Sequence, residues 1–342
     1  MRVAEALGAR VVTDLKVGAA FPTAHPLHAG APGVFAGPEA LAAIREADVV
    51  LSLDWVDLAG TLAAAGGAGA RVIQVSQDHV LHNGWSADHQ GLPAVDLFVQ
   101  ADADATVIAL MEALGAGTAR MVLADVAAVE VAPGPIAVPV MAGVLRGAVA
   151  GREVSLLHLP LSWDGASWPF SHPLDYLGSD GGGGIGGGPG IAVGAALALR
   201  ELGRGSGRLP VAVCGDGDTL MGVTALWTAA HYRIPLLLVV ANNQSFFNDE
   251  VHQERMARQR GRPVSNKWIG MRMTDPEIDI AGMARAQGAV GFGPVVDAAA
   301  LAGVFAEAIA VVDAGGVAVV DVRVLTGYTP SMAAALTRHA PG

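Results

Sequence analysis

Two short clusters carry side chains suited to one chemistry: Gly215-Asp216-Gly217, and Asn242-Asn243 after residues 218–241. A carboxylate and an amide oxygen are hard donors. They suit an oxygen-seeking divalent cation such as Mg²⁺, which takes few protein ligands and completes its octahedron with water and phosphate oxygens. Gly215 and Gly217 carry no side chain, so backbone N–H groups can approach an anion closely. A helix starting just after them would add its positive dipole end. Together these residue types imply a divalent cation holding a diphosphate.

The elements around the clusters place them on one edge of a sheet. Residues 211–214 form a short apolar run that reads as a buried strand. A helical pattern spans about 219–232, Pro235 closes it, and residues 236–241 read as a second buried strand. This is one βαβ unit with an expected right-handed crossover. Its strands are then parallel, and Asp216 and Asn243 end on the same edge, where open α/β sheets bind ligands.

GDG followed at this spacing by NN resembles the cofactor motif of thiamine diphosphate (ThDP) enzymes. The wording ALWTAAHYRIP between them resembles the acetolactate synthase and benzoylformate decarboxylase branch. The resemblance implies that ThDP and Mg²⁺ are the cofactors, with Asp216, Asn243 and the Ser245 carbonyl as metal ligands. It implies a cofactor surface of Gly215, Gly217, Asp218 and Thr219, with Phe246, Phe247 and Asn248 over the diphosphate and facing the substrate cavity. Asp249 or Glu250 could then serve as an acid–base group. Read without the resemblance, both are first-turn carboxylates favoured by a helix dipole.

Upstream, SDGGGGIGGGPGIAVGAALALR combines a glycine run with an apolar helix over 191–202. A single apolar residue among glycines implies that something packs on it. The segment resembles the family's glycine-rich turn, with AVGA at 192–195 matching its helix. On that match Ile185 supports the cofactor and forces its two rings into a V. Gly183 offers a carbonyl to the aminopyrimidine, and Gly184 lines the same surface. The loop after a strand at 154–159 is rich in aromatics (Trp163, Trp168, Phe170, Tyr176) and reads as a binding or interface element; the resemblance implies that it brings a hydroxyl toward the diphosphate, with Ser162 as the candidate.

The fold class expected is α/β with two doubly wound parallel-sheet domains. Residues 1–115 read as an incomplete Rossmann-like domain, with strands at 10–13, 48–53, 70–75 and 97–100 and helices at 39–46 and 103–114. They resemble the central domain of the same family. Residues 116–134 read as a linker and 135–335 as the diphosphate-binding domain, closing with a helical stretch at 275–288 and a strand at 317–325. The chain begins inside a helix that the family precedes with a strand and, further upstream, with a whole pyrimidine-binding domain. That domain carries the glutamate that activates the cofactor. The expectation is therefore a partner chain supplying it in trans, in a dimer or tetramer of such pairs acting on a small 2-oxo acid, or else that this chain is a fragment of a longer enzyme. A 2-hydroxyacyl-CoA lyase and a non-catalytic ThDP-binding regulatory subunit remain open.

With 342 residues, 52% of them apolar and 15% charged, the chain can fill two cores and a subunit interface. A net charge of −11 disfavours nucleic acid and anionic membranes as partners. One cysteine, Cys214, excludes an intramolecular disulfide framework. The start lacks an apolar signal core and no apolar run reaches membrane length, so a cytoplasmic protein is the default. His25, His28, His79, His82 and His89, with Asp54 and Asp78, show no metal-ligand spacing and read as structural or solvated. Arg255, Arg258, Arg260 and Arg262 read as a solvated face.

Overall fold

The computed structural model describes residues 1–67, 69–78, 91–119, 129–179, 184–201 and 207–328. They fall into two compact units, both α/β. The first holds a three-stranded parallel sheet, β1 (Val49–Leu53), β2 (Arg71–Val75) and β3 (Leu97–Val99), in that order. With it go α1 (Arg2–Leu7), α2 (Pro38–Glu46), α3 (Leu58–Ala64) and α4 (Ala103–Ala113). Asp57 caps α3 at Gly60 N (3.0 Å) and Asp102 caps α4 at Ala105 N (2.9 Å), each satisfying a donor the helix leaves open.

The strand expected at 10–13 is not one. The segment makes only the isolated bridges Val11 to His28 and, just beyond it, Asp14 to Gly33. Its pairing partner is irregular backbone, so no ladder can form. Pro169–Pro173 belongs to this first unit despite its place in the chain. Phe170 and Thr23 exchange hydrogen bonds, Thr23 N to Phe170 O and Phe170 N to Thr23 Oγ1, both 2.9 Å. Of the candidate histidines, His25 pairs with Glu5 (3.1 Å) and His28 with Thr13 Oγ1 (2.8 Å). His79, His82 and His89 lie outside the described residues.

The second unit is a five-stranded parallel sheet in the order β4-β5-β6-β8-β7. Its strands are β4 (Val154–His158), β5 (Leu209–Gly215), β6 (Leu236–Asn242), β7 (Val290–Val295) and β8 (Val317–Arg323). Its helices are α5 (Val138–Ala148), α6 (Gly188–Glu201), α7 (Asp216–Gly222), α8 (Ala225–His231), α9 (Phe247–Gln259), α10 (Ile280–Ala286) and α11 (Leu301–Asp313). All seven residues of β6 are buried. Strands buried on both faces need continuous apolar runs rather than alternation, as Leu236 to Ala241 show. Leu157, Ala196, Leu226, Leu238 and Val319 share one core cluster across sheet and helices. Trp163, Trp168 and Tyr176, from the aromatic loop, are buried within this unit rather than lining an open surface.

Three departures from the sequence reading have local causes. The helical pattern at 219–232 splits into α7 and α8 after Gly222, where a side chain would run into Gly186 O at 2.6 Å. Helix α6 starts earlier than expected, at Gly188, because Pro189 at its first turn needs no N–H partner. Strand β7 escaped notice because VGFGPV is glycine-rich. A side chain at Gly291 would meet Ala281 O at 2.2 Å, so only glycine lets the strand approach α10.

The middle of this sheet sets the stability of the unit. Leu238→Ala should cost about 2–5 kcal/mol by emptying a fully buried site between strand neighbours and helices. Chemical denaturation would show it as a lower midpoint, whereas an unchanged midpoint would mean that β6 is not central to the core.

Candidate cofactor site

Strands β5 and β6 pair in parallel with Gly215 opposite Ala241, so their C-terminal tips emerge side by side. Asp216 follows β5 directly as the first residue of α7, and Asn243 follows β6. The chain then turns sharply at Gln244, in left-handed backbone at φ 59°. That turn brings the Ser245 N–H back over both tips. It lies 3.1 Å from Asp216 Oδ2 and 3.0 Å from Asn243 Oδ1. One backbone donor thus gathers the carboxylate and the amide oxygen. Residues 244–246 are held in turn by a facing loop, through Phe246 N to Met271 O (3.0 Å) and Met273 N to Gln244 O (2.9 Å).

Asp216 is 4% exposed. Burial pushes its pKa up from 3.8 to about 6, and backbone donors at Gly217, Ser245 and Gln244 offset that only in part. A buried carboxylate balanced by backbone dipoles alone, beside an amide oxygen, is a donor set that fits a hard divalent cation. Asn248 Oδ1, in the first turn of α9, is also buried without a hydrogen-bond partner. Asn242 points the other way: its amide donates to Asp321 Oδ1 at 2.8 Å and its carbonyl accepts from Gln244 N at 3.0 Å. The first asparagine of the pair therefore braces the turn and the second faces the site.

The other residues singled out from the sequence divide into groups. A side chain at Gly215 would meet nothing within 4 Å, so this backbone is open to a ligand. One at Gly217 would lie 2.3 Å from the Phe246 ring, so that glycine serves ring packing. Thr219 Oγ1 is spent on Gly215 O at 2.7 Å. Ser245 Oγ donates to Glu250 Oε1 at 2.5 Å, and Arg272 Nε approaches the same oxygen at 3.3 Å. Glu250 is therefore buried and engaged, while Asp249 is half-buried on the same first turn. Phe247 packs at a tilt on Tyr328, 5.2 Å between centroids, and burial, helped by the charge of Asp249, raises the Tyr328 phenol above its usual pKa. Ile185 is 47% exposed and Gly184 is open, while Gly183 lies outside the described residues.

Asp218 does something the sequence did not reveal. Its side chain turns to the glycine-rich segment and accepts from Gly186 N (2.7 Å) and Gly188 N (3.2 Å) through Oδ1. Gly186 sits at φ +100°, a conformation that side chains rarely adopt. The segment next to Ile185 is thus fastened to α7 by a carboxylate two residues beyond Asp216.

Two models of one family match consecutive parts of the chain. The central domain of thiamine pyrophosphate enzymes matches residues 1–110, and their C-terminal TPP binding domain matches residues 162–322. The chain belongs to the thiamine pyrophosphate enzyme family. A 64-residue stretch of this ThDP-family chain is 39% identical to a benzoylformate decarboxylase of Pseudomonas aeruginosa, covering 19% of this chain and 11% of that protein. Two solved structures share the fold. One is a Rhodococcus jostii ThDP-dependent 4-hydroxybenzoylformate decarboxylase, with TM-score 0.67 and 23% identity over 96% of this chain. The other is benzoylformate decarboxylase from Polynucleobacter necessarius, with TM-score 0.67 and 21% identity over 95%. This chain spans 58% of the length of each.

Two expectations test this geometry. The native Asp216 pKa of about 6 exceeds its ordinary 3.8, so the folded state holds the extra proton between those values. Below that window both states are protonated and there is no penalty; above it the full penalty applies, so metal-free stability falls as pH rises through it. Asp216→Asn should therefore gain on wild type across that window, on the order of 2–3 kcal/mol, read from thermal melts at successive pH without divalent ions. A constant difference would mean that the carboxylate is not desolvated. Separately, Asp218→Ala should free the glycine segment, since each bond to a charged acceptor contributes about 1.5–3 kcal/mol. Amide exchange at Gly186 and Gly188 should quicken at least tenfold by that measure, and unchanged protection would mean that the segment is held by something else.

Proposed function

We propose that this chain supplies the diphosphate- and Mg²⁺-binding part of a ThDP-dependent enzyme that decarboxylates a small 2-oxo acid. The single observation that carries the reading is the Ser245 N–H shared by Asp216 Oδ2 and Asn243 Oδ1 at two adjacent strand tips. The local identity to a benzoylformate decarboxylase supports the decarboxylase class over other reactions of the family.

ThDP, when bound, supplies an electron sink for the pair released as a carboxylate leaves. The residues of this chain do the positioning. The Asp216 and Asn243 side chains and the Ser245 carbonyl would hold the cation, which would neutralise the diphosphate. The open backbone at Gly215 and the first turn of α7 face the same anion. Ile185, fastened through its neighbours to Asp218, would support the cofactor's rings. Phe246, Phe247 and Asn248 roof the diphosphate and face the substrate. Of the two acidic candidates, Asp249 is the acid–base group, because Glu250 is committed to Ser245 and Arg272.

A pyrimidine-binding segment completes the site, on another chain or elsewhere on a longer one. Support for it is the length of the solved relatives that this chain does not span. The purified chain alone should bind ThDP only with Mg²⁺ and show no turnover of 2-oxo acids until that segment is supplied. Calorimetry should find ThDP·Mg²⁺ binding weakened at least tenfold by Asp216→Ala, since one lost bond to a charged group is worth about 1.5–3 kcal/mol. Magnesium-independent binding, or full turnover by this chain alone, would contradict the proposal.

A further inference from the structure

Beside the diphosphate edge but separate from its donors lies a second group of ligand-bearing side chains: His158 at the end of β4, Cys214 on β5 and Asp218 on α7. One ligand atom from each lies within 4.8 Å of the others. The mechanism above uses neither His158 nor Cys214. We infer that these three side chains form a binding site for a transition-metal ion of the zinc class, distinct from the Mg²⁺ site at Asp216.

The details on each ligand agree with that assignment. His158 Nδ1 lies 3.0 Å from Val213 O, and a carbonyl only accepts, so Nδ1 carries the proton. The lone pair is then on Nε2, which faces Asp218 Oδ2 at 3.8 Å. Metal-bound histidines characteristically donate their other N–H to a backbone carbonyl in this way, which fixes ring and tautomer. Asp218 is already divided: Oδ1 holds the glycine segment, whereas Oδ2 is buried with no hydrogen-bond partner. Cys214 Sγ lies on the buried side, 3.7 Å from His158 Nδ1, so closing the site takes a rotation that carries the sulfur from the Nδ1 edge of the ring to Nε2.

Only glycine fits at residue 188, which packs closely against two of the three ligands. A side chain there would sit 2.0 Å from Asp218 Oδ2 and 3.0 Å from Cys214 Sγ, filling the corner between them. His158 and Asp218 side chains keep 14% and 15% exposure, which leaves an approach from their side. Nitrogen, sulfur and carboxylate ligands in tetrahedral zinc lie about 3.3–3.8 Å apart, so side-chain rotations close the site and water takes the fourth position. Mg²⁺ avoids sulfur, so one protein separates the two ions by ligand type. On binding, the thiol S–H bond breaks, its electron pair forms the metal–sulfur bond and the proton leaves to solvent. An ion here would also tie β4, β5 and α7 to the glycine segment that carries Ile185.

Co²⁺ added to the metal-free chain gives the test, because a thiolate ligand adds a charge-transfer band that oxygen donors cannot produce. The expected result is one such site per chain, displaced by Zn²⁺, lost in Cys214→Ser, weakened at least tenfold in His158→Gln and kept in Asp216→Asn. No thiolate band, or a band that survives Cys214→Ser, would overturn the assignment. Should Cys214→Ser fail to fold, X-ray absorption of the zinc-loaded wild type decides: a sulfur shell supports the site and an all-oxygen-and-nitrogen shell refutes it.

Discussion

The site depends on one backbone N–H shared between two side-chain oxygens. Ser245 N reaches Asp216 Oδ2 and Asn243 Oδ1 together only because three conditions hold at once. The two strands are parallel neighbours in register, the chain reverses at Gln244 in left-handed backbone, and residues 244–246 are pinned to the 271–273 loop. None of these comes from the site residues themselves. The five-stranded sheet, buried on both faces, fixes the strand tips. The Asn242 brace to Asp321 fixes the start of the turn. Hydrophobic burial in the middle of the unit thereby fixes the strand tips at its edge.

Glycines do the complementary work of allowing close approach. Gly217 admits the Phe246 ring, Gly222 admits Gly186 and Pro189, and Gly188 admits Asp218. Each would collide if it carried a side chain, so the turn, α7 and the start of α9 form one tightly packed shell. Asp218 crosses that shell and links the glycine segment to the same helix that begins with Asp216. The Asp216 end and the segment next to Ile185 are in this way coupled through a single seven-residue helix.

Much of this was legible in the sequence for physical reasons. Apolar runs bounded by Gly-Asp-Gly and Asn-Asn can only be strands buried on both faces, and parallel pairing then puts both clusters on one edge. The α/β class of both units followed from alternating strand and helix patterns. What was not legible depends on direction and partner. Nothing in GDGD says that its second aspartate turns back to Gly186. Nothing in NN says that Asn242 braces the turn against Asp321. Glycine-rich β7 gives no strand signal, and 10–13 reads as a strand that does not form, because local composition is a poor guide where tertiary contact decides. The engagement of Glu250 by Ser245 and Arg272, which favours Asp249 as the free carboxylate, needed coordinates.

The most direct measurement is anomalous scattering from Mn²⁺, a stand-in for Mg²⁺, in crystals of this chain grown with ThDP and any segment needed to bind it. The account predicts a peak coordinated by Asp216, Asn243 and the Ser245 carbonyl and touching the diphosphate. A diphosphate bound elsewhere, or a cation that avoids the tips of β5 and β6, would contradict it.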